Sequence, residues 1–183
     1  MLTQNASWGN VEKALANIRA RGALSLAKLH AMPDEELAEL IRPSGYFRLK
    51  AKRLKHLLAF LADVKGGKWR DFLRSLSLEK ARETLLKVHG VGPETADSIL
   101  LYSADMPSFV VDKYTLRIGG RCGWFPHGTK YEEARAIFME SVAKNVKVYN
   151  EFHALIVRLG ANFCKTKPLC ADCPLNSVCP KKI

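Results

Sequence analysis

The chain has 183 residues, of which 48% are apolar, and it carries 29 Lys and Arg against 18 Asp and Glu. This length is enough for one core or two small lobes, and the apolar content excludes a disordered chain. The net charge of +11 favours a polyanion such as nucleic acid as the partner, although charge alone is equally compatible with simple solubility.

The sequence shows no signal for a membrane or for secretion. No apolar run approaches the length of a membrane span, and the N-terminal segment Met1–Asn5 turns polar at once, unlike a signal peptide. We therefore expect a cytoplasmic protein with no membrane partner. In that compartment its five cysteines are expected to be thiols or metal ligands rather than disulfides.

Helical periodicity begins near the N-terminus, where Val11, Leu15 and Ile18 share one face. Acidic residues after Pro33 predict a second helix, which is expected to stop near 42–45. A third helix is predicted from about 48 to 64. Its apolar stripe consists of Ala51, Leu54, Leu57, Leu58 and Leu61. Its other faces carry the basic residues Arg48, Lys50, Lys52, Arg53 and Lys55.

The second half of the chain is predicted to be helical as well. Ser77 is a plausible N-cap for a helix to about Val88, and a new helix starts at Pro93. Further helices are predicted over 113–120, 130–144 and 148–162. The apolar run Ser108–Val111 is too short and isolated to indicate a sheet. The prediction is therefore an all-α fold of two lobes, 1–106 and 107–183, with a boundary near Pro107.

A glycine-rich turn joins the predicted helices at Gly90 and Gly92. The two glycines permit a tight turn, and Pro93 suits the first helical position because its missing N–H needs no partner there. Such a turn presents backbone N–H groups at a helix N-terminus, where they can bind a phosphate. Thr95, in the first turn of the helix, is assigned to the same phosphate site. The alternative is an ordinary corner between two helices.

Four of the five cysteines crowd together near the C-terminus. Cys164, Cys170, Cys173 and Cys179 are separated by five, two and five residues. Four thiolates at this spacing could wrap one metal centre, and iron–sulfur clusters accept irregular spacings, whereas a zinc ribbon usually offers two Cys-x-x-Cys pairs. Zinc and free thiols are the alternatives. Cys122 stands apart and is interpreted as a buried small residue.

The segment Leu86–Ala96 resembles the hairpin of the endonuclease III superfamily, the helix-hairpin-helix DNA glycosylases. The resemblance extends over about residues 1–180. It implies a monomer of two helical lobes, with the hairpin within about 78–106, that binds double-stranded DNA containing a damaged base. It also implies a [4Fe–4S] cluster held by the four cysteines of the loop 164–179, although the first gap between them is one residue shorter here than in the family.

Three features are similar to the bacterial 3-methyladenine DNA glycosylases of endonuclease III type: Arg42–Phe47 followed by Lys50–Leu54, then Gly92–Asp97, and then Val111–Tyr114. This resemblance implies that Asp112 is the catalytic carboxylate that stabilises positive charge on the sugar. Asp112 also suits the N-cap of the helix that follows. Glu94 stands where bifunctional members have the lysine that forms a Schiff base. The implied activity is therefore monofunctional removal of an alkylated base.

Several residues are candidates for the pocket that receives the extruded base. Gln4 lies in a segment that resembles the family's early helix, where a glutamine enters the space left by that base. Trp8, Tyr46 and Phe47 could hold the base by stacking, and core packing is the alternative for each of them. Glu94 could contact the base, or it could be a first-turn acid that favours the helix dipole.

Two other functions stay open at this stage. A bifunctional AP lyase would need Lys113 or another lysine to replace the absent one. A non-catalytic DNA-binding or redox-sensing protein would keep the hairpin and the iron–sulfur cluster without excising a base. The basic residues of the cysteine loop are expected to contact a phosphate strand: Lys165, Lys167, Lys181 and Lys182.

Overall fold

A computed structural model describes residues 1–182, apart from the side-chain surroundings of residues 65 and 66. Within this range the chain forms ten α-helices and no strand. The helices are α1 Trp8–Ala20, α2 Leu26–Ala31, α3 Asp34–Leu40, α4 Phe47–Asp63, α5 Trp69–Arg74, α6 Leu78–Leu86, α7 Pro93–Ser103, α8 Lys113–Cys122, α9 Tyr131–Ser141 and α10 Val146–Asn162. The predicted all-α class is confirmed for this part of the chain. None of its helices is both long and apolar enough to cross a membrane.

The predicted helices correspond to α1, α3, α4 and α6 to α10, whereas α2 and α5 were not predicted. The long helix α4 begins and ends within one residue of its predicted bounds. Short 3-10 helices, Arg42–Ser44 and Val64–Gly67, lie where α3 and α4 were expected to stop. Ser77 caps α6 as predicted, because its hydroxyl accepts a hydrogen bond from the Lys80 backbone N–H.

The chain divides into two compact units, Met1–Thr95 and a second that begins at Ala96. The division falls inside α7, so the helix that follows the glycine turn belongs to both units. The boundary near Pro107 and the lobes 1–106 and 107–183 stay a prediction.

The core of the first unit is aliphatic. Apolar side chains from α1, α3 and α4 are buried together, among them Ile18, Leu37, Ile41 and Leu58. The buried positions of α4 include Ala51, Leu57 and Leu58, as its predicted stripe requires. Helices of six or seven residues are marginal in isolation, so α3 depends on the burial of its apolar face and α2 on the packing of the partly buried Leu26 and Leu29 against this core.

Lys50 is one of the basic residues that the sequence places off the apolar stripe of α4, but it is buried in the structure. Lys50 is only 3% exposed, and its ammonium donates to the carbonyls of Leu2, at 3.0 Å, and of Ser44, at 2.5 Å. Burial lowers the pKa of this amine. Two carbonyl acceptors offset the cost of burying the ammonium, and the bonds fix the N-terminal segment and the 3-10 turn against α4.

The core of the second unit is aromatic. Phe109 stacks on Phe138 with ring centroids 4.2 Å apart, and Tyr149 meets Phe109 edge-on at 5.2 Å. The segment Phe109–Val111 supplies three buried residues to this core. It pairs with no strand in the described chain, as the sequence indicated, and its apolar run reflects burial on all sides.

Two glycines let helices of the second unit approach their neighbours closely. A Cβ atom at Gly160 of α10 would lie 2.4 Å from the Tyr114 ring, and one at Gly119 of α8 would lie 2.1 Å from the Phe125 ring. Only glycine fits at such distances. The Gly160 contact fixes α10, which carries His153, against α8, which Asp112 caps.

A buried carboxylate joins α7 to α9. Asp97 is fully buried and accepts hydrogen bonds from the Ser108 hydroxyl and, at 2.7 Å, from the Tyr131 hydroxyl. The Arg135 Nε lies 3.2 Å from Asp97 Oδ1, and the same guanidinium also donates to Ser108. A buried charge with this many partners is compensated, so the network determines where the chain enters the 108–112 segment.

Candidate active site and cysteine loop

Asp112 lies at the N-terminus of α8 and caps it. Its Oδ1 atom accepts from the Thr115 backbone N–H at 2.7 Å and from the Thr115 hydroxyl at 2.8 Å. Thr115 is itself fully buried, so this side of the carboxylate cannot shift easily. Both hydrogen bonds that the described chain makes to the Asp112 side chain use Oδ1. The second oxygen, Oδ2, therefore remains available for chemistry.

Sequence reasoning missed two residues beside this carboxylate, Tyr102 and His153. The His153 Nε2 atom lies 3.9 Å from Asp112 Oδ2, and its Nδ1 atom lies 2.5 Å from the Tyr102 hydroxyl. His153 is on α10 and Tyr102 on α7, in segments without a recognisable motif. The one available signal was a histidine among the apolar residues of a predicted helix, which more often indicates a residue satisfied in the core.

The glycine turn is tight, as the sequence predicted, and its two glycines differ. Gly90 has φ +87°, and a Cβ there would lie 2.4 Å from the Arg53 side chain. A Cβ at Gly92 would meet no protein atom within 4 Å. Pro93 follows as the first residue of α7. Gly90 is therefore required by the fold, whereas Gly92 leaves room in front of a helix N-terminus.

Gln4 and Thr95 are bonded to each other in this structure. The Gln4 amide donates to the Thr95 hydroxyl at 3.1 Å, and Thr95 is only 7% exposed. The Thr95 side chain is thus turned inward and does not face solvent as a phosphate ligand would. Glu94, one residue earlier, is exposed in the first turn of α7.

Two of the three candidate stacking residues lie outside the core. Trp8 is 64% exposed at the start of α1, and Tyr46 is 72% exposed with a left-handed backbone, φ +47°. Phe47 is half-buried, and the guanidinium groups of Arg42 and Arg48 lie over its ring at 5.6 and 5.2 Å. Core packing does not explain the positions of Trp8 and Tyr46.

The four cysteines of the C-terminal loop line one cavity, and two of their sulfurs accept hydrogen bonds from neighbouring groups. Arg121 on α8 donates to the Cys164 sulfur at 3.4 Å, and the Lys181 N–H donates to the Cys179 sulfur at 3.4 Å. Hydrogen bonds of this kind stabilise thiolates, so the donor set fits a metal cluster. Across residues 1–182, however, no three His, Cys, Asp or Glu side chains already form a metal-binding group.

Arginines of α8 hold the beginning of the loop. Arg117 donates to the Cys164 carbonyl at 2.7 Å and to the Gly160 carbonyl at 3.1 Å. Arg121, one turn later, donates to the Lys165 and Thr166 carbonyls at 2.6 and 3.0 Å. The loop therefore depends on the same helix that Asp112 caps.

The interpretation of Cys122 as an isolated buried residue is wrong. Cys122 lines the same cavity as the four loop cysteines, and its sulfur lies 3.6 Å from that of Cys179. Burial, together with the neighbouring thiols, raises the pKa of Cys122 to about 12. The last residue of α8 thus contributes a fifth sulfur to the cavity.

The glycine turn and the capping carboxylate Asp112 both lie in the part of the chain that is similar to a known protein family. A family model described as "HhH-GPD superfamily base excision DNA repair protein" matches residues 1–144. The chain belongs to this superfamily and is a DNA repair glycosylase of it. The resemblance to the endonuclease III superfamily is thereby confirmed.

Three relatives show how far the similarity extends. A protein of Methanocaldococcus jannaschii named as a DNA repair glycosylase is 42% identical over 182 residues, which is 100% of this chain and 83% of the relative. The crystal structure of Helicobacter pylori 3-methyladenine DNA glycosylase bound to 1,N6-ethenoadenine gives a TM-score of 0.75 at 29% identity, over 86% of this chain and 80% of that one. The structure of an endonuclease III–DNA complex gives a TM-score of 0.79 at 26% identity, over 98% of this chain and 79% of that one.

Proposed function

We propose that this protein is a monofunctional DNA glycosylase, which hydrolyses the N-glycosidic bond of an alkylated base in double-stranded DNA. The observation that carries the proposal is the geometry of Asp112. Its Oδ1 atom is fixed by two hydrogen bonds from Thr115, whereas Oδ2 makes no hydrogen bond within the described residues. One carboxylate thus combines a rigid position with an available oxygen.

Hydrolysis of the bond develops positive charge on the sugar. An ionised carboxylate next to C1′ stabilises that charge and can take a proton from the attacking water. Glu94 adds no competing nucleophile, since a carboxylate cannot form the imine that strand cleavage by β-elimination requires. The expected product is an abasic site in an uncut strand.

The base has to leave the stack before it can be excised, and this costs a few kcal/mol. Trp8 and Tyr46 are exposed aromatic residues of the first unit that could stack on the extruded base or its neighbours. Gln4 would enter the vacated space after exchanging its bond to Thr95 for bonds to the opposite base. The open space at Gly92 lets a phosphate approach the N–H groups that begin α7.

The cysteine cavity fits a [4Fe–4S] cluster with Cys164, Cys170, Cys173 and Cys179 as ligands. The cluster would supply rigidity and electrostatic support to the loop when bound. The protein's own part is to present exposed lysines on that loop to a phosphate strand: Lys165, Lys167, Lys181 and Lys182.

An alkylated substrate is supported by the H. pylori enzyme, whose structure holds 1,N6-ethenoadenine. An alkylated purine carries positive charge or a weakened glycosidic bond, so modest stabilisation of the sugar cation suffices to release it. By the same argument, a site with one carboxylate and no nucleophilic lysine is adequate for such bases.

The direct test is a single-turnover assay on duplexes that each contain one alkylated, oxidised or mismatched base. We expect release of an alkylated purine, detected by strand breakage only after treatment with hot alkali. The Asp112→Asn variant is the matched control, because asparagine caps a helix as well as aspartate does. Release of oxidised pyrimidines only, or no release by the parental protein, would contradict the proposal.

A further inference from the structure

A buried histidine lies next to Asp112 and has no place in the mechanism described so far. The His153 side chain is 12% exposed, and its Nε2 atom has no hydrogen-bond partner among the described residues. A buried polar nitrogen without a partner costs about 1–3 kcal/mol, so such an atom in a native structure needs an explanation. The carboxylate oxygen Asp112 Oδ2 lies 3.9 Å from it.

The separation of 3.9 Å is too long for a hydrogen bond but short enough to close by a small rotation of either side chain. Asp112 Oδ1 is held by Thr115 and cannot turn away. Movement would therefore bring Oδ2 and Nε2 together without breaking the helix cap. Among the described residues, the titratable groups placed against the imidazole are Tyr102 from α7 and Asp112 from the start of α8.

The opposite ring nitrogen indicates which atom carries the proton. Burial, together with the charge of Asp112, raises the pKa of Tyr102 to about 12, so the phenol keeps its proton and can donate it to His153 Nδ1. The neutral imidazole then carries its own proton on Nε2. Burial lowers the pKa of His153, which favours this neutral form even though Asp112 acts in the opposite direction.

We propose that His153, oriented by Tyr102, is a positioning residue for Asp112: its Nε2–H donates to Oδ2 and holds the carboxylate in one rotamer as an anion. This inference rests on the proposed function of Asp112. A neutral donor suits that function better than a charged one would, because it orients the carboxylate without neutralising the charge that stabilises the sugar cation.

Three substitutions separate this role from simple packing. His153→Phe keeps a ring and removes both nitrogens, His153→Gln restores one N–H donor, and Tyr102→Phe removes only the hydroxyl. Loss of a hydrogen bond to a charged group should lower the single-turnover excision rate by about tenfold to a hundredfold in His153→Phe. DNA affinity should stay at the parental value, and His153→Gln should recover part of the rate. The exposed histidine variant His30→Gln should behave like the parent.

The pH dependence of excision gives the second measurement. Burial lowers the pKa of His153 and Asp112 acts in the opposite direction, so replacing this ring should move the acid limb of the rate profile in His153→Phe and, by a smaller amount, in Tyr102→Phe. A purely structural role would lower the rate equally at every pH. An unchanged profile in both variants would overturn the inference.

The position of the proton on the His153 ring can be measured without an activity assay. Nitrogen-15 NMR of histidine-labelled protein should show His153 as a neutral ring protonated on Nε2 at neutral pH, and Tyr102→Phe should weaken that tautomer. Observation of the Nδ1–H tautomer, or of a charged ring, in the parental protein contradicts the inference even if His153→Phe does not fold. If the parental protein releases no base from any duplex, the proposed function fails separately, whereas NMR still decides the state of His153.

Discussion

At the scale of single residues, Asp112 serves two purposes with two different oxygens. Oδ1 satisfies the N–H and hydroxyl of Thr115, which any capping residue could do, and Oδ2 is the atom that can meet a sugar. A capping position suits a catalytic carboxylate because the helix N-terminus favours negative charge there. The carboxylate also gains a fixed position from the cap, because the Thr115 backbone N–H and hydroxyl both hold Oδ1.

We predict that Asp112→Asn folds normally and loses excision. Asparagine keeps the cap, so the free energy of unfolding should change by less than about 1 kcal/mol, whereas removal of the charge should slow single-turnover excision by about two orders of magnitude or more. Thermal unfolding and a gel-based rate measurement test the two parts separately. Excision at the parental rate by a folded variant would exclude Asp112 from the reaction.

At the scale of elements, the two glycines of the turn can be substituted to separate an effect on DNA binding, at Gly92, from an effect on stability, at Gly90. Gly92→Val adds a side chain that meets no protein atom at its Cβ, so the protein should keep its melting temperature. Affinity for duplex DNA of any sequence should fall by roughly tenfold, because hydrogen bonds from the turn to a phosphate are blocked. Ala136→Val, exposed on α9, is the control for added bulk.

Gly90 provides the contrasting case. Its positive φ and the Arg53 side chain packed against it make Gly90→Ala strained, so this variant should lose about 1 kcal/mol or more of stability. Binding measured on Gly90 variants alone therefore cannot distinguish phosphate contact from unfolding. Unchanged DNA affinity in a folded Gly92→Val protein would refute the phosphate site.

The cysteine loop gives a prediction about metal content. Protein prepared without oxygen should be brown and hold about four irons per chain. Cys170→Ser should lose most of the iron, whereas Cys122→Ser should keep it, because Cys122 lies at the end of α8 outside the proposed ligand set. Stoichiometric zinc without iron would contradict the cluster, and loss of iron in Cys122→Ser would add this thiol to the ligands.

The elements that could be predicted from the sequence are those with a periodic apolar face or a marked boundary. The pattern of α4 and the Ser77 cap of α6 are local signals, and both are found in the structure. The helices α2 and α5 have six residues each, too few to show a period. The helix α2 packs on α4, further along the chain, and a local pattern does not contain such a contact.

Only those parts of the site that lie within short sequence motifs could be predicted. Asp112 and the glycine turn were found because each lies within a short recognisable segment, and their roles stay predictions. The burial of Lys50 was missed because a lysine can be buried when backbone carbonyls from remote segments accept its protons. Cys122 and His153 were missed for a related reason: their partners Cys179 and Asp112 lie far away in sequence. Only the folded chain brings such pairs together.

At the scale of the whole molecule, the net charge of +11 supplies an attraction to DNA that does not depend on sequence. A monofunctional glycosylase and an AP lyase would both have this attraction to DNA, so DNA binding alone cannot decide which reaction the protein catalyses. The deciding feature is whether an amine reaches C1′ of the sugar. An imine forms only with an amine, and β-elimination then cuts the strand.

We predict that borohydride treatment of the parental protein with abasic-site DNA traps no covalent adduct. The resemblance to the bifunctional enzymes implies that Glu94 stands where they have the Schiff-base lysine, and Glu94 is exposed, so a lysine can be accommodated there. Lys113 follows Asp112 directly, but neighbouring side chains of a helix point roughly 100° apart, so both should not face the same sugar. Glu94→Lys is therefore expected to gain trapping and serves as the positive control. A strong adduct with the parental protein that disappears in Lys113→Ala would instead establish a lyase, because it would show that this amine, in spite of its direction, reaches the sugar.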